Sequence, residues 1–147
     1  MNQAILTEAE VEKFAAEWYQ KLDVHAPAED YISLLAKEGL EMQFPEGTFR
    51  GFEGFKSWYE NVTGIFFDEV HTLKKVRLIS VSQKQANVEI IVNWQASIWN
   101  PPAPKSERIV LDAYQTWVVK RSSKTQKPVI ATYVVDSMKY AEGSAKL

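Results

Sequence analysis

A chain of 147 residues has the length of one domain and can bury roughly two-thirds of the surface that its unfolded form would expose. Hydrophobic residues make up 46% of it and cysteine is absent, so an apolar interior rather than a disulfide framework must carry the fold. Its 17 basic and 19 acidic residues are spread along the chain, and the net charge of -2 provides no basic stripe for a nucleic-acid backbone. No apolar run approaches the roughly 20 residues of a membrane span, and Met1 to Leu6 lacks the character of a leader, so a cytoplasmic protein with neither membrane nor nucleic-acid partners is expected.

Thr7 followed three residues later by Glu10 forms a capping-box pattern, after which Val11, Phe14, Ala15, Trp18, Tyr19 and Leu22 recur at helical spacing. This first helix should end near Asp23 to His25, because Pro27 biases Ala26 away from helix. A second short helix opens with Pro27 in its first turn, carries Glu29 and Asp30 where the dipole favours acids, buries Tyr31, Leu34 and Leu35, and stops at Gly39. Leu40, Met42 and Phe44 alternate with Glu41 and Gln43 as a half-buried strand, Pro45-Glu46-Gly47 supplies a turn, and Thr48 to Arg50 return. Phe52, Phe55, Trp58, Tyr59 and Val62 predict a third helix from Phe52 to about Gly64.

From there the period changes to two. Long segments at roughly Glu69–Val81, Ala86–Trp99, Glu107–Lys120 and Val129–Met138 are rich in Val, Ile, Thr and Trp, and turn-like stretches connect them. Strands of this length, joined as antiparallel hairpins, must twist and bend, and the three helices are the material for them to wrap. Apolar residues on both faces of the stretch from Val88 to Trp99 predict helices on one side and a second copy of the chain on the other, a homodimer through the sheet. Lys120, Arg121, Lys124 and Lys127, set among Ser, Thr and Gln, read as a solvated turn. One domain over residues 1–140 and a flexible tail over 141–147 complete the expected organisation.

The stretches Phe14 to Asp23 (FAAEWYQKLD) and Phe44 to Phe55 (FPEGTFRGFEGF), the Asp68-Glu69-Val70-His71 entry to the first long strand, and the last strand from Val129 to Met138 carry a resemblance over almost the whole chain. In order and spacing the sequence resembles the nuclear-transport-factor-2-like superfamily, which includes ketosteroid isomerases, scytalone dehydratase and polyketide cyclases of the SnoaL type. The resemblance implies an α+β cone: a cystatin-like curved antiparallel sheet wrapped around three N-terminal helices, with a pocket for a small hydrophobic molecule. Within that group the chain is most similar to scytalone dehydratase and hexachlorocyclohexane dehydrochlorinase, which use a histidine–aspartate pair inside the cone. Asp23 matches the aspartate and His71 the histidine. The resemblance therefore implies His71 as general base and Asp23 as the group that fixes its tautomer and raises its basicity. The basic residues with which such a dehydrochlorinase holds its leaving group have no clear counterpart, since the matching place on the third long strand holds Val118 and Val119.

Tyr19, Trp94 and Tyr114 combine apolar bodies with polar tips, as small-ligand pockets favour, and are candidate lining residues. Asp136, among Val134, Val135 and Met138, either faces water at a rim or sits in the pocket as a carboxyl kept neutral; Asp112 is a weaker case of the same kind. His25 reads as an exposed turn residue. No Gly-rich phosphate loop is present, and two histidines without HxH or HxxxH spacing predict no metal site, so any catalysis is cofactor-free acid–base chemistry. Two functions fit: a lyase or isomerase acting on a small apolar carbon acid, or a non-catalytic ligand-binding or dimerisation module whose cone is plugged by Trp18, Trp58 and Trp94.

Overall fold

The computed structural model describes residues 5–147. Helix α1 (Glu8–Asp23) begins where the sequence places it: the Thr7 side chain accepts the backbone N–H of Glu10 at 3.2 Å, and Val11, Phe14, Ala15, Trp18, Tyr19 and Leu22 form one buried face. The second helix is a correction. Residues Ala28–Leu34 form a 3-10 helix only, which ends well before Gly39, because Leu35 and Ala36 leave it to pair with the sheet; the Ala36 N–H donates to the Ile130 carbonyl at 2.8 Å. Strands β1 (Glu41–Phe44) and β2 (Gly47–Arg50) make a tight hairpin, and helix α2 (Gly51–Ile65) buries Phe55 and Tyr59. Gly47 sits at φ +147°, a backbone conformation that side chains rarely adopt, and Gly54 leaves room for Phe49, whose backbone carbon a Cβ would meet at 3.1 Å.

Four long strands follow, β3 (Phe66–Val81), β4 (Gln85–Ile98), β5 (Glu107–Arg121) and β6 (Pro128–Tyr140). The sheet runs β2-β1-β6-β5-β4-β3. Its hairpins are antiparallel, but β1 lies parallel to β6, so the sheet is mixed rather than wholly antiparallel. Curvature has an identifiable source. The β3/β4 pairing shifts register between Phe67 and Val70, between Leu73 and Lys75, and between Leu78 and Ser80, and each such irregularity bends and twists the strand. The result is the expected curved sheet around N-terminal helices, an α+β cone.

The core lies between α1 and the inner face of β4–β6. Trp18 is fully buried at its centre, its ring 5.3 Å from Tyr31, 5.7 Å from Phe55, 5.7 Å from Tyr133 and 6.3 Å from Trp117. Arg121 overturns part of the solvated-turn reading: its side chain is only 10% exposed and grips the Glu10 carboxylate at 2.6 and 2.7 Å. Glu10 thus serves the far end of β5 as well as the capping box, where the Thr7 backbone also favours its carboxylate. Beyond Tyr140, where a flexible tail was expected, the Ala141 and Ala145 N–H groups donate to the Val110 and Arg108 carbonyls. Among the described residues, no helix is long and apolar enough to cross a membrane.

Candidate functional site

Trp18 is buried in the core and does not line the cavity of about 330 Å³ that lies between α2, the end of α1 and the inner face of β3–β6. Its walls are largely apolar, with Trp58, Trp94, Val92, Leu111 and Met138 among them. Besides Tyr59 and Tyr133, the polar residues that line it are Glu46, Asn61, Thr63, Glu69, His71 and Gln115, and among the described residues no lysine or arginine lines it.

His71 joins the cavity to Asp23. On α1, Tyr19 and Asp23 are four residues apart and so share a face, and that face looks onto β3. Asp23 Oδ1 accepts the backbone N–H of His71 at 2.8 Å and meets the ring Nδ1 at 2.7 Å. A carboxylate at a helix C-terminus opposes the helix dipole, and these two donors offset that cost. The imidazole is only 9% exposed and lies between two rings, Tyr19 at 5.0 Å and Trp94 at 6.3 Å, both near parallel to it. With the Nδ1 proton directed at Asp23, the Nε2 lone pair is left, and no described residue hydrogen-bonds that atom.

Solved structures that resemble this one include a hexachlorocyclohexane dehydrochlorinase from Novosphingobium barchaimii, 17% identical, with 95% of this chain and 92% of that one covered at a TM-score of 0.73. A cystatin-like protein from Nostoc punctiforme is 16% identical over the whole of both chains, with a TM-score of 0.71. A nuclear transport factor 2-like protein from Salmonella enterica serovar Typhimurium is 15% identical over 95% of this chain and 92% of that one, with a TM-score of 0.70. The chain has the nuclear transport factor 2-like fold. No protein-family model matches its sequence, and no curated protein matches it significantly.

Against that nuclear transport factor 2-like frame the other candidates divide. Trp94 lines the cavity, and its Nε1–H donates to Glu69 Oε1 at 2.9 Å. Tyr19 is 2% exposed and does not line it; its hydroxyl donates to Gln115 Oε1 at 2.7 Å, so it supports the site from behind. Tyr114 and Asp136 are corrections. Tyr114 has the opposite strand phase to Ala113 and Gln115, which line the cavity, and so points to the other face of the sheet. Asp136 is the extra residue of a bulge, since Tyr114 pairs with Ser137 and Gln115 with Val135; it is exposed and accepts the Thr116 hydroxyl at 2.7 Å. Asp112 is also away from the cavity, where Lys74 at 2.7 Å and Asn93 hold its carboxyl below the usual range. His25 is no free turn residue: its Nε2 meets Glu69 Oε2 in a partly buried pair.

Of the cavity residues that escaped the sequence reading, two carried a signal. Glu69 precedes His71 by two positions, which the strand period places on the same face, and that signal was available. Gln115 is the lone polar residue in the inward series Ile109, Leu111, Ala113, Gln115, Trp117 and Val119. A polar side chain interrupting a buried apolar phase is a recognisable flag. Among the described residues, no cluster of three or more His, Asp or Glu side chains could hold a metal ion.

Proposed function

We propose that this protein is a small-molecule enzyme of the lyase or isomerase type that needs no cofactor, with His71 as general base and Asp23 as the residue that orients it. One observation carries the reading: His71 lines an apolar cavity while its Nδ1 is held by Asp23, leaving Nε2 unengaged. Such an imidazole can take a proton from a C–H bond of a bound carbon acid, and the released electron pair forms a new double bond. In an isomerisation the imidazolium returns the proton at another carbon. In a dehydration it passes the proton to the departing oxygen, so that water leaves as a neutral molecule. Both routes take the proton back from the imidazolium and release no ion, which suits a cavity without lysine or arginine better than expulsion of a halide ion. Fold neighbours include a dehydrochlorinase, which supports lyase-type chemistry on this scaffold.

The test is proton exchange, which needs no leaving group. In deuterated water the protein should catalyse C–H exchange of a small neutral carbon acid such as β-tetralone, followed by proton NMR. The His71→Ala variant should lose this activity while its unfolding free energy stays within about 1 kcal/mol of the parent. Absence of exchange across a panel of neutral cyclic ketones, or its persistence in His71→Ala, would overturn the proposal and favour a non-catalytic binding module.

A further inference from the structure

Gln115 is held in one orientation by a neighbour that cannot do otherwise. Its Oε1 receives the Trp117 Nε1–H at 3.0 Å and the Tyr19 hydroxyl at 2.7 Å. An indole nitrogen is a donor only, so the amide atom facing Trp117 must be the oxygen, and the Nε2 end turns the other way. Among the described residues, Trp18 Nε1 is the only fully enclosed side-chain nitrogen or oxygen without a partner. The Gln115 nitrogen carries two N–H groups; the Tyr133 hydroxyl can take one, and the other is left for the cavity that Gln115 lines. Tyr133, whose hydroxyl interacts with Gln115, Tyr19 and Trp18, lines it too.

We infer that Gln115 is the specificity-determining donor of this cavity, and that its ligand is an uncharged, mostly apolar molecule carrying a hydrogen-bond-accepting oxygen. An N–H in an apolar chamber is desolvated, and a ligand that leaves it unpaired forfeits binding energy, whereas one that presents an oxygen recovers it. The same chamber disfavours anions. Glu46 and Glu69 are its charged lining residues among those described, and no lysine or arginine there would meet a carboxylate. Tyr19 couples this donor to the base: its ring lies against His71 and its hydroxyl reaches Gln115. The inference rests on the cavity of the proposed function, not on proton abstraction within it.

Three probes of similar size separate the outcomes: β-tetralone, its hydrocarbon counterpart tetralin, and naphthoate. Binding by tryptophan fluorescence should favour β-tetralone over tetralin by about tenfold, the worth of one hydrogen bond in an apolar site, with naphthoate weakest. In Gln115→Met, which keeps the length of the side chain and a weak sulfur acceptor for Trp117 and Tyr19 but has no donor, the preference for β-tetralone should vanish while tetralin still binds. As a check independent of any variant, the Gln115 side-chain amide resonances of the intact protein should move with β-tetralone and stay with tetralin. Equal binding of ketone and hydrocarbon, binding of neither at millimolar concentration, or unmoved amide resonances would overturn the inference. A ketone preference without proton exchange would leave it standing and sink the lyase or isomerase reading instead.

Discussion

Asp23 Oδ1 takes two contacts from one residue, the His71 backbone N–H at 2.8 Å and the His71 ring Nδ1 at 2.7 Å. The backbone bond fixes where β3 starts against the end of α1, and the ring bond fixes how the imidazole faces the cavity. Removing the carboxylate should therefore change both. In Asp23→Ala, nitrogen-15 NMR should show the His71 proton moving from Nδ1 toward Nε2, the tautomer that free imidazole side chains prefer. Unfolding free energy should fall by about 1–3 kcal/mol, and any proton exchange by roughly a hundredfold or more. An unchanged tautomer would mean that Asp23 does not orient the ring.

Glu10 and Arg121 tie the first turn of α1 to the end of β5. The Arg121 guanidinium, hydrogen-bonded to Glu10, holds this carboxyl below its ordinary value. A depressed folded-state pKa contributes stability above the unfolded-state pKa, and that contribution is lost as pH falls through the folded value. The contribution should be about 1 kcal/mol, because Glu10 is a third exposed and its attraction partly screened. Urea midpoints of the parent and of Glu10→Gln should differ near neutrality and converge from about pH 4.5 downward. A gap independent of pH would point to packing instead of charge.

Much of the architecture was legible because its signals are periodic. The inward face of α1 from Val11 to Leu22 and the start of α2 follow from spacing alone, and so does the change from helical to alternating period near Phe66. The site was less legible, for a physical reason. On β5 both phases carry apolar or aromatic residues, Val110, Tyr114 and Val118 against Ile109, Leu111, Trp117 and Val119, so alternation does not say which faces the helices. The bulge at Asp136 then reverses phase within β6, which no period-two pattern can anticipate. His71 escaped this ambiguity because the family resemblance, not alternation, singled it out together with Asp23. Arg121 was misread because its partner lies 111 residues away in the chain.

Four tyrosines, Tyr19, Tyr31, Tyr59 and Tyr133, have their phenols pushed above the ordinary value, in each case chiefly by burial. The sign is opposite in pH to that of Glu10. A raised folded-state pKa gives stability that is complete below the unfolded value and is lost as pH rises toward the folded one. Spectrophotometric titration should therefore show these phenols ionising together with unfolding, above about pH 10 and beyond their ordinary midpoint. Smooth ionisation of all six tyrosines at that midpoint, with the fold intact by circular dichroism, would contradict the packing described.

Trp117 joins stability to recognition. It is fully buried, its ring 5.1 Å from Tyr133, 5.9 Å from Tyr19 and 6.3 Å from Trp18, and its Nε1–H sets the Gln115 amide. Trp117→Ala should cost about 3–5 kcal/mol in urea unfolding, the range for emptying a large aromatic site. A loss under about 1 kcal/mol would mean that the core closes over the gap. Trp117→Phe isolates the second role. It keeps most of the packing but removes the donor-only nitrogen, and Tyr19 can then either donate to the amide oxygen or accept from the amide nitrogen. The Gln115 amide is free to invert, so the preference for oxygen-bearing ligands should weaken severalfold while hydrocarbon binding stays near that of the parent. If both affinities fall together, Trp117 shapes the cavity and does not aim the amide.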